Sequence, residues 1–232
     1  LLERIGHFLD VENQRLFDQF KEEGLANEAI SEQIAQELNV QTVLHQAANS
    51  LDGGYVMCGL IGHGDAFVMR DPNGIRPCFW YEDDEVVVVT SERPVIQTAF
   101  NVETDAVQEL EPGHALIIKR DGTVSTPQVK SPGERKACSF ERIYLSRGND
   151  QDIYRERKEL GRQLVPKILE AVEHDLDKTV SSFIPNTAEV CFYGLIKGLE
   201  DYQNQAKIAR IIGMGADPDP IEVKRILDER AR

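Results

Sequence analysis

The sequence predicts an α+β fold, in which a helical start leads into antiparallel strands and a second, α/β-like region closes the chain. Apolar residues recur at helical spacing before residue 50, at Ile30, Ile34 and Leu38. Between residues 51 and 127, short runs of β-branched and aromatic residues alternate with Gly, Pro and Asn turns, which is typical of hairpins. From residue 154 the apolar residues again follow the period of a helix.

Composition and charge exclude several classes of protein. The 232 residues include 26 Lys and Arg against 40 Asp and Glu, a net charge of −14, which argues against nucleic-acid or anionic-membrane partners. Apolar residues make up 41% of the chain, enough for a buried core. The longest aliphatic run is Val86 to Val89, whereas a membrane-spanning helix needs about 20 apolar residues.

The cysteines indicate a reduced, cytoplasmic protein. They show neither a Cys-x-x-Cys pair nor a histidine at zinc-ligand spacing, so we expect free thiols that pack as small apolar groups. The four cysteines are Cys58, Cys78, Cys138 and Cys191.

Turn residues divide the chain into its predicted elements. In the first half the predicted strands are 55–61, 66–70, 78–81, 85–90, 113–119 and 123–125, and a helix over 92–100 follows a cap at Thr90 or Ser91. We expect these strands to form one antiparallel meander, followed by a loop over 127–136. In the second half we predict a helix over 154–174 kinked at Pro166, a buried strand over 180–184, a turn at 185–187 that leads into a helix, and a charged helix over 221–232.

The most specific pattern is the run Arg70 to Pro77, which reads R-D-P-N-G-I-R-P. Pro and Asn-Gly are turn residues, so we interpret the run as an architectural turn whose arginines pair with backbone or carboxylates rather than as a catalytic element. Further motifs follow in order: T-S-E at 90–92, L-E-P-G-H-A at 110–115, C-S-F-E-R-I-Y-L-S-R at 138–147, and Tyr154, Arg157 and Gly161 on one helix. Together, over about residues 50 to 200, these motifs resemble the amidophosphoribosyltransferase family.

The resemblance implies a fold and an activity. Residues 1–150 would be the C-terminal part of a class II glutamine amidotransferase domain, an incomplete αββα sandwich of the N-terminal-nucleophile hydrolase type. Residues 151–232 would begin an α/β phosphoribosyltransferase domain. The parent would be a cytoplasmic homo-oligomer that makes 5-phosphoribosylamine from glutamine and phosphoribosyl pyrophosphate, in the first step of purine biosynthesis. Purine nucleotides would be its inhibitors.

The resemblance assigns few site residues to this chain. The family's nucleophilic Cys and oxyanion segment would precede residue 1 and its acidic phosphoribosyl-binding loop would follow residue 232, so we name no catalytic residue and expect the chain alone to be inactive. Asn186 and Thr187 fall on the family's substrate-binding turn, where Ala188 replaces a serine that contributes to Mg²⁺ and phosphoribosyl binding. Cys138 matches a cysteine that ligates a 4Fe–4S cluster in some members.

Two alternatives remain open from the sequence. One is another class II glutamine amidotransferase, which would share the strands but not the helix and turn over 154–187. The other is a catalytically inactive homologue that binds nucleotides or regulates a partner, which the Ala188 replacement favours.

Overall fold

The computed structural model describes residues 2–229, and within this range the chain divides between Glu141 and Arg142 into two compact units. The helices of the first unit are α1 (Leu2–Glu22), α2 (Asn27–Glu37), α3 (Val40–Ala48) and α4 (Arg93–Phe100). Its strands are β1 (Val56–Leu60), β2 (Ala66–Arg70), β3 (Phe79–Glu82), β4 (Val87–Thr90), β5 (Gln108–Glu109), β6 (Ala115–Ile118) and β7 (Val124–Ser125). The second unit contains α5 (Gln151–Ala171), α6 (Glu189–Gly213) and α7 (Pro220–Asp228). Among the described residues, no helix is long and apolar enough to cross a membrane.

Helices α1–α3 form the first layer of the first unit. The apolar positions that predicted a helical start, Ile30, Ile34 and Leu38, are all buried, which confirms that prediction. They share a core with Phe67 and Met69 of β2, so these helices cover one face of the sheet that contains β2.

The strands form two sheets, one in the order β1-β2-β6-β7 and the other in the order β4-β3-β5. Neighbouring strands are antiparallel, and Val56 of β1 lies opposite Arg70 of β2. Val68 and Leu116, on the face of the first sheet away from α1–α3, pack in one core with Trp80 of the second sheet. Helix α4 contacts β3 and β4 of the second sheet.

The expectation of a single meander is therefore wrong, because β2 pairs with the distant β6 rather than with β3. The reason lies in β2, whose residues from Phe67 to Arg70 are all buried. A strand buried on both faces needs a layer on each side, which a sheet with one solvated face does not supply.

Other sequence predictions are confirmed with small changes at the ends of elements. The hairpins, α4 and the loop after β7 lie where the residue types indicated, although the two-residue strand β5 was not predicted. Glu92, rather than Thr90 or Ser91, is the N-cap residue of α4. Of the four cysteines, Cys78 is buried, Cys138 and Cys191 are half-buried, and Cys58 is exposed. Burial as a small apolar group, which we expected for all four, is therefore complete only for Cys78.

A buried carboxylate fixes the β1–β2 turn. The side chain of Asp65 is fully buried and accepts hydrogen bonds from Lys119 Nζ at 2.5 Å and from the backbone N–H of Arg120 at 2.8 Å. His63 Nε2 lies 3.1 Å from the same carboxylate. Burial alone would raise the pKa of Asp65, but the groups around it outweigh burial and hold that pKa below its usual value.

We expect Asp65→Asn to lower the free energy of unfolding at pH 7 by about 2 kcal/mol, the cost of weakening charge-assisted hydrogen bonds. A carboxyl whose pKa is lowered by folding stabilises the protein above its unfolded pKa of about 3.9, and this contribution disappears as the pH falls through the folded pKa. Urea unfolding at pH 7 and in acid should therefore show that the difference in free energy of unfolding between wild type and variant becomes smaller at low pH. A difference in free energy of unfolding that is the same at both pH values would contradict the role given to the Asp65 carboxylate.

In the second unit, α5 and α6 pack through glycines. Asp150 caps α5 by accepting the backbone N–H groups of Asp152 and Ile153. A Cβ added to Gly194 of α6 would lie 1.8 Å from the carbonyl oxygen of Lys158 in α5, so the two backbones touch directly. The apolar residues around this contact are Val165, Leu169, Leu195 and Leu199.

The strand predicted over 180–184 is absent from the described residues. This segment has no regular secondary structure, and the side chains of Val180 and Ile184 are 93% and 84% exposed. A strand needs a hydrogen-bonded neighbour, and the described part of the second unit contains no other strand to pair with it. The turn and the helix after it are confirmed, as is a helix near the end, although residues 230–232 of the predicted span lie outside the described residues.

Candidate functional site

The Arg70–Pro77 motif forms a turn built around a buried carboxylate. Asp71 Oδ1 accepts the backbone N–H groups of Asn73 at 3.1 Å and Ile75 at 2.9 Å, and Asp71 Oδ2 accepts that of Arg76 at 3.1 Å. Gly74 adopts a φ of 59°, a conformation that residues with a Cβ rarely take. One aspartate thus organises the backbone of the whole turn, which explains why Asp, Pro, Asn and Gly occur together there.

Arg70 ties this turn to the adjacent strands. Its side chain is 1% exposed, and its Nε donates to the carbonyl oxygen of Arg76 at 2.8 Å. Its Nη1 donates to the carbonyl oxygen of Leu110 at 2.5 Å and lies 2.8 Å from Glu109 Oε1. A buried cation with this many acceptors locks the elements that supply them.

The second arginine of the motif, Arg76, pairs with a different carboxylate from Arg70. Arg76 Nη1 lies 2.9 Å from Oε2 of Glu141, a buried carboxylate that ends the first unit. Both arginines therefore pair with carboxylates, and Arg70 also with backbone carbonyls, which confirms the predicted pairing of the two arginines.

The thiol next to this network is held in its neutral form. Cys78 is buried beside Arg70 and carries no disulfide. Burial raises the pKa of the Cys78 thiol to about 12, and the charge of Arg70 offsets only part of that effect. Cys78 therefore fills space in the core and is not a nucleophile at neutral pH.

Cys138, the predicted cluster ligand, lies in the first unit beside the motif turn. Its thiol is half-buried, and its backbone N–H donates to the carbonyl oxygen of Ile75 at 3.3 Å. In the described residues, no three His, Cys, Asp or Glu side chains gather as metal ligands do. An iron–sulfur cluster needs several thiolates, so the residues present do not fit one by themselves, and ligation by Cys138 stays a prediction.

Asn186 and Thr187, the predicted substrate-binding residues, lie in the second unit on the turn before α6. Asn186 is exposed and Thr187 is half-buried. The carbonyl oxygen of Asn186 accepts the backbone N–H of Glu189 at 3.2 Å, and Ala188 caps the helix without a side-chain hydrogen bond. The Glu189 carboxylate accepts the hydroxyl of Tyr193, so this turn offers no cluster of free oxygen ligands for Mg²⁺.

Three charged residues that hold these elements in place received no role from the sequence. Glu109 and Glu141 pair with the motif arginines, and Arg157 of α5 donates to the carbonyl oxygens of Arg142 at 3.1 Å and Ser146 at 2.6 Å. Arg157 is buried, and desolvation lowers its pKa. The available signal was the position of Arg157, which lies on the apolar side of α5, four residues before Gly161.

Comparisons with known proteins support the resemblance that these motifs predict. No protein-family model matches the chain. The amidophosphoribosyltransferase of Pseudomonas aeruginosa is 31% identical over 147 residues, 59% of this chain and 28% of that protein. The Escherichia coli enzyme of the same name is 32% identical over 153 residues, 61% of this chain and 29% of that protein. The chain thus spans less than a third of the length of these curated relatives.

Two solved structures resemble the fold. One, described as the allosteric regulatory enzyme of purine biosynthesis, has a TM-score of 0.52 and 23% identity, over 81% of this chain and 41% of the other. The second, the glutamine phosphoribosylpyrophosphate amidotransferase of B. subtilis in complex with ADP and GMP, has a TM-score of 0.52 and 20% identity. It covers 96% of this chain and 49% of that one. The chain is therefore a mixed helix-and-sheet protein similar to part of an amidophosphoribosyltransferase in sequence and in fold.

Proposed function

We propose that this chain is part of an amidophosphoribosyltransferase. The observation that carries this proposal is sequence identity of about 30% to several enzymes of that one name. The buried turn at 70–77 agrees with it, because the residues that the motif specifies are those whose side chains hold the turn together. In this proposal residues 1–150 belong to a glutaminase domain and residues 151–232 begin a phosphoribosyltransferase domain.

The layers of the first unit support an αββα glutaminase sandwich. Helices α1–α3 cover one sheet, the second sheet packs on the opposite face of the first, and α4 contacts the second sheet. Residues 151–232 contribute helices in this proposal, and the strands of their sheet would come from elsewhere in the parent.

The proposed reaction has two steps that share one nitrogen. Glutamine and water give glutamate and ammonia. The ammonia nitrogen then attacks C1 of phosphoribosyl pyrophosphate, so that a C–N bond forms, the C–O bond to pyrophosphate breaks, and 5-phosphoribosylamine, pyrophosphate and a proton are released. The parts of this chain described above fix backbone geometry in both units, and they supply no group that we assign to either step.

Cofactors and partners follow from the same proposal. Phosphoribosyl pyrophosphate would contact the turn of Asn186 and Thr187, and the Mg²⁺ that accompanies it would need oxygen ligands from outside this turn. A cluster would require thiolates in addition to Cys138. Purine nucleotides are proposed inhibitors, and the ADP and GMP bound to the B. subtilis enzyme support that expectation. We also propose a cytoplasmic homo-oligomer.

The test is a two-substrate assay of the complete protein encoded by the gene. We expect glutamate from glutamine, and pyrophosphate release that requires both phosphoribosyl pyrophosphate and a nitrogen source, either glutamine or ammonium. Omitting each substrate in turn is the control. Pyrophosphate release that does not respond to glutamine or ammonium would refute the proposal, as would glutamine-dependent amination of a different sugar phosphate.

Ala188 favours a second candidate, an inactive homologue that binds nucleotides. The helix α6 starts there without the side-chain oxygen that usually accepts an N-terminal N–H group. In this case the complete protein would bind ADP or GMP in calorimetry and yet release no pyrophosphate in the assay above.

A further inference from the structure

The motif turn and the segment that ends the first unit run side by side. The backbone N–H of Gly133 donates to the carbonyl oxygen of Pro72 at 2.8 Å, and the backbone N–H of Lys136 donates to the carbonyl oxygen of Asn73 at 2.7 Å. A third bond joins the N–H of Cys138 to the carbonyl oxygen of Ile75 at 3.3 Å. We call residues 71–76 and 133–141 together the connector clamp.

Two side chains add to these backbone bonds. Asn73 Nδ2 donates to the carbonyl oxygen of Glu134 at 2.9 Å, and Arg76 pairs with the buried carboxylate of Glu141. The Asn73 side chain also packs closely against Gly133, because a Cβ on Gly133 would lie 2.5 Å from Asn73 Nδ2. The clamp is therefore built from side chains as well as backbone.

Burial does not explain why this segment has a fixed path. Residues 131–137 are all exposed, so little apolar area holds them against the first unit. The turn that receives their hydrogen bonds is itself rigid, since Asp71 and Arg70 fix its backbone from inside the core. An exposed segment is thus tied to a turn that is itself held by hydrogen bonds from Asp71 and Arg70.

The position of the clamp in the chain suggests what it is for. Glu141 is the last residue of the first unit, and the chain passes directly from it into the second. An ion pair at this residue, together with the bonds at 133, 136 and 138, fixes where the chain leaves the first unit.

We propose that the connector clamp couples the two steps of the reaction, with Arg76 and Glu141 as its positioning residues. This inference rests on the proposed function. Ammonia formed in one domain must reach a substrate held in the other, and productive transfer depends steeply on how reacting groups are positioned. A connector released from the turn would let ammonia escape while each separate site keeps its own chemistry.

The experiment compares matched charge-neutralising variants of the complete protein. Arg76→Gln and Glu141→Gln break the clamp. Arg120→Gln and Glu32→Gln break an exposed Arg–Glu pair of the same unit, at 3.3 Å, that does not touch the connector. For each variant we would measure glutamate and pyrophosphate formed from glutamine, and pyrophosphate formed from ammonium.

In the clamp variants we expect the ratio of glutamate to pyrophosphate to rise about twofold or more, with the ammonium-dependent rate unchanged. The two control variants should keep the wild-type ratio. A merely structural role would lower all rates together and leave the ratio unchanged, and that result would overturn the inference. Failure of the proposed function would look different, because the wild-type protein would then show no ammonium-dependent release of pyrophosphate. That result would also rule out the coupling role of the connector clamp.

Hydrogen exchange provides a second readout that does not depend on turnover. We expect Arg76→Gln to accelerate exchange at the amides of Gly133, Lys136 and Cys138 relative to Arg120→Gln. Equal protection of these amides in the two variants would contradict the claim that the Arg76–Glu141 pair holds the connector on the turn.

Discussion

Replacing Gly194 by alanine is expected to destabilise the second unit by about 3 kcal/mol, because the new methyl group meets backbone rather than a flexible side chain. It would lie 1.8 Å from the carbonyl oxygen of Lys158 and 2.7 Å from its carbonyl carbon. The clash is relieved only if α5 and α6 separate, and separation would loosen the core formed by Val165, Leu169 and Leu195.

Two other glycines of α6 make matched controls. At Gly198 the nearest atom is a methyl group of Val165, 2.6 Å away, which a rotation of that side chain relieves in part. At Gly213 no atom lies within 4 Å, so alanine there should be neutral or stabilising by about 0.5–1 kcal/mol, the usual gain in a helix. Urea unfolding followed by circular dichroism should rank the variants Gly194→Ala, Gly198→Ala and Gly213→Ala from least to most stable. Equal midpoints for the first and last would contradict the close helix contact.

The second large effect is expected at Arg70. Arg70→Met keeps a long unbranched side chain but removes the cation. The carbonyl oxygens of Leu110 and Arg76 lose their donor, and the Glu109 carboxylate keeps only its exposed partner Arg135. We expect a cost of about 3–5 kcal/mol in total, because each buried acceptor left without a donor costs about 1–3 kcal/mol. We expect the first unit to lose most of its stability.

Arg135→Met is the matched control for this prediction, because Arg135 pairs with the same carboxylate at 2.5 Å but is 52% exposed. An exposed pair contributes about 0–1 kcal/mol. Fluorescence of Trp80, the single tryptophan, reports unfolding of the core that also contains Leu110. Equal unfolding midpoints for the two variants would show that burial of Arg70 does not matter and would contradict the account of this turn.

These residues also show where reasoning from sequence succeeds and where it stops. Local patterns were sufficient for the helix containing Ile30 and for the turn at Pro72 to Gly74, because periodicity and turn chemistry act over a few neighbouring residues. The pairing of β2 with β6 and the ion pair of Arg70 with Glu109 join residues about 40 or more apart, and no local pattern reports such contacts.

The prediction of a strand over 180–184 was wrong for a related reason. Its residue types favour a strand, but a strand forms only with a partner, and the described residues of that unit provide none. Arg157 and Gly161 illustrate the opposite case. The motif that contains them was visible in the sequence, while the reasons for it, a buried cation and a backbone contact, emerged only from the packing of α5.

Transfer of the amide nitrogen tests the central claim most directly. The complete protein would be incubated with phosphoribosyl pyrophosphate and glutamine labelled with ¹⁵N at the side-chain amide, and the aminated product would be examined by mass spectrometry. An amidophosphoribosyltransferase predicts ¹⁵N in phosphoribosylamine, with glutamate and pyrophosphate formed alongside it. Label that appears only as free ammonium, or stays in glutamine, would contradict the account.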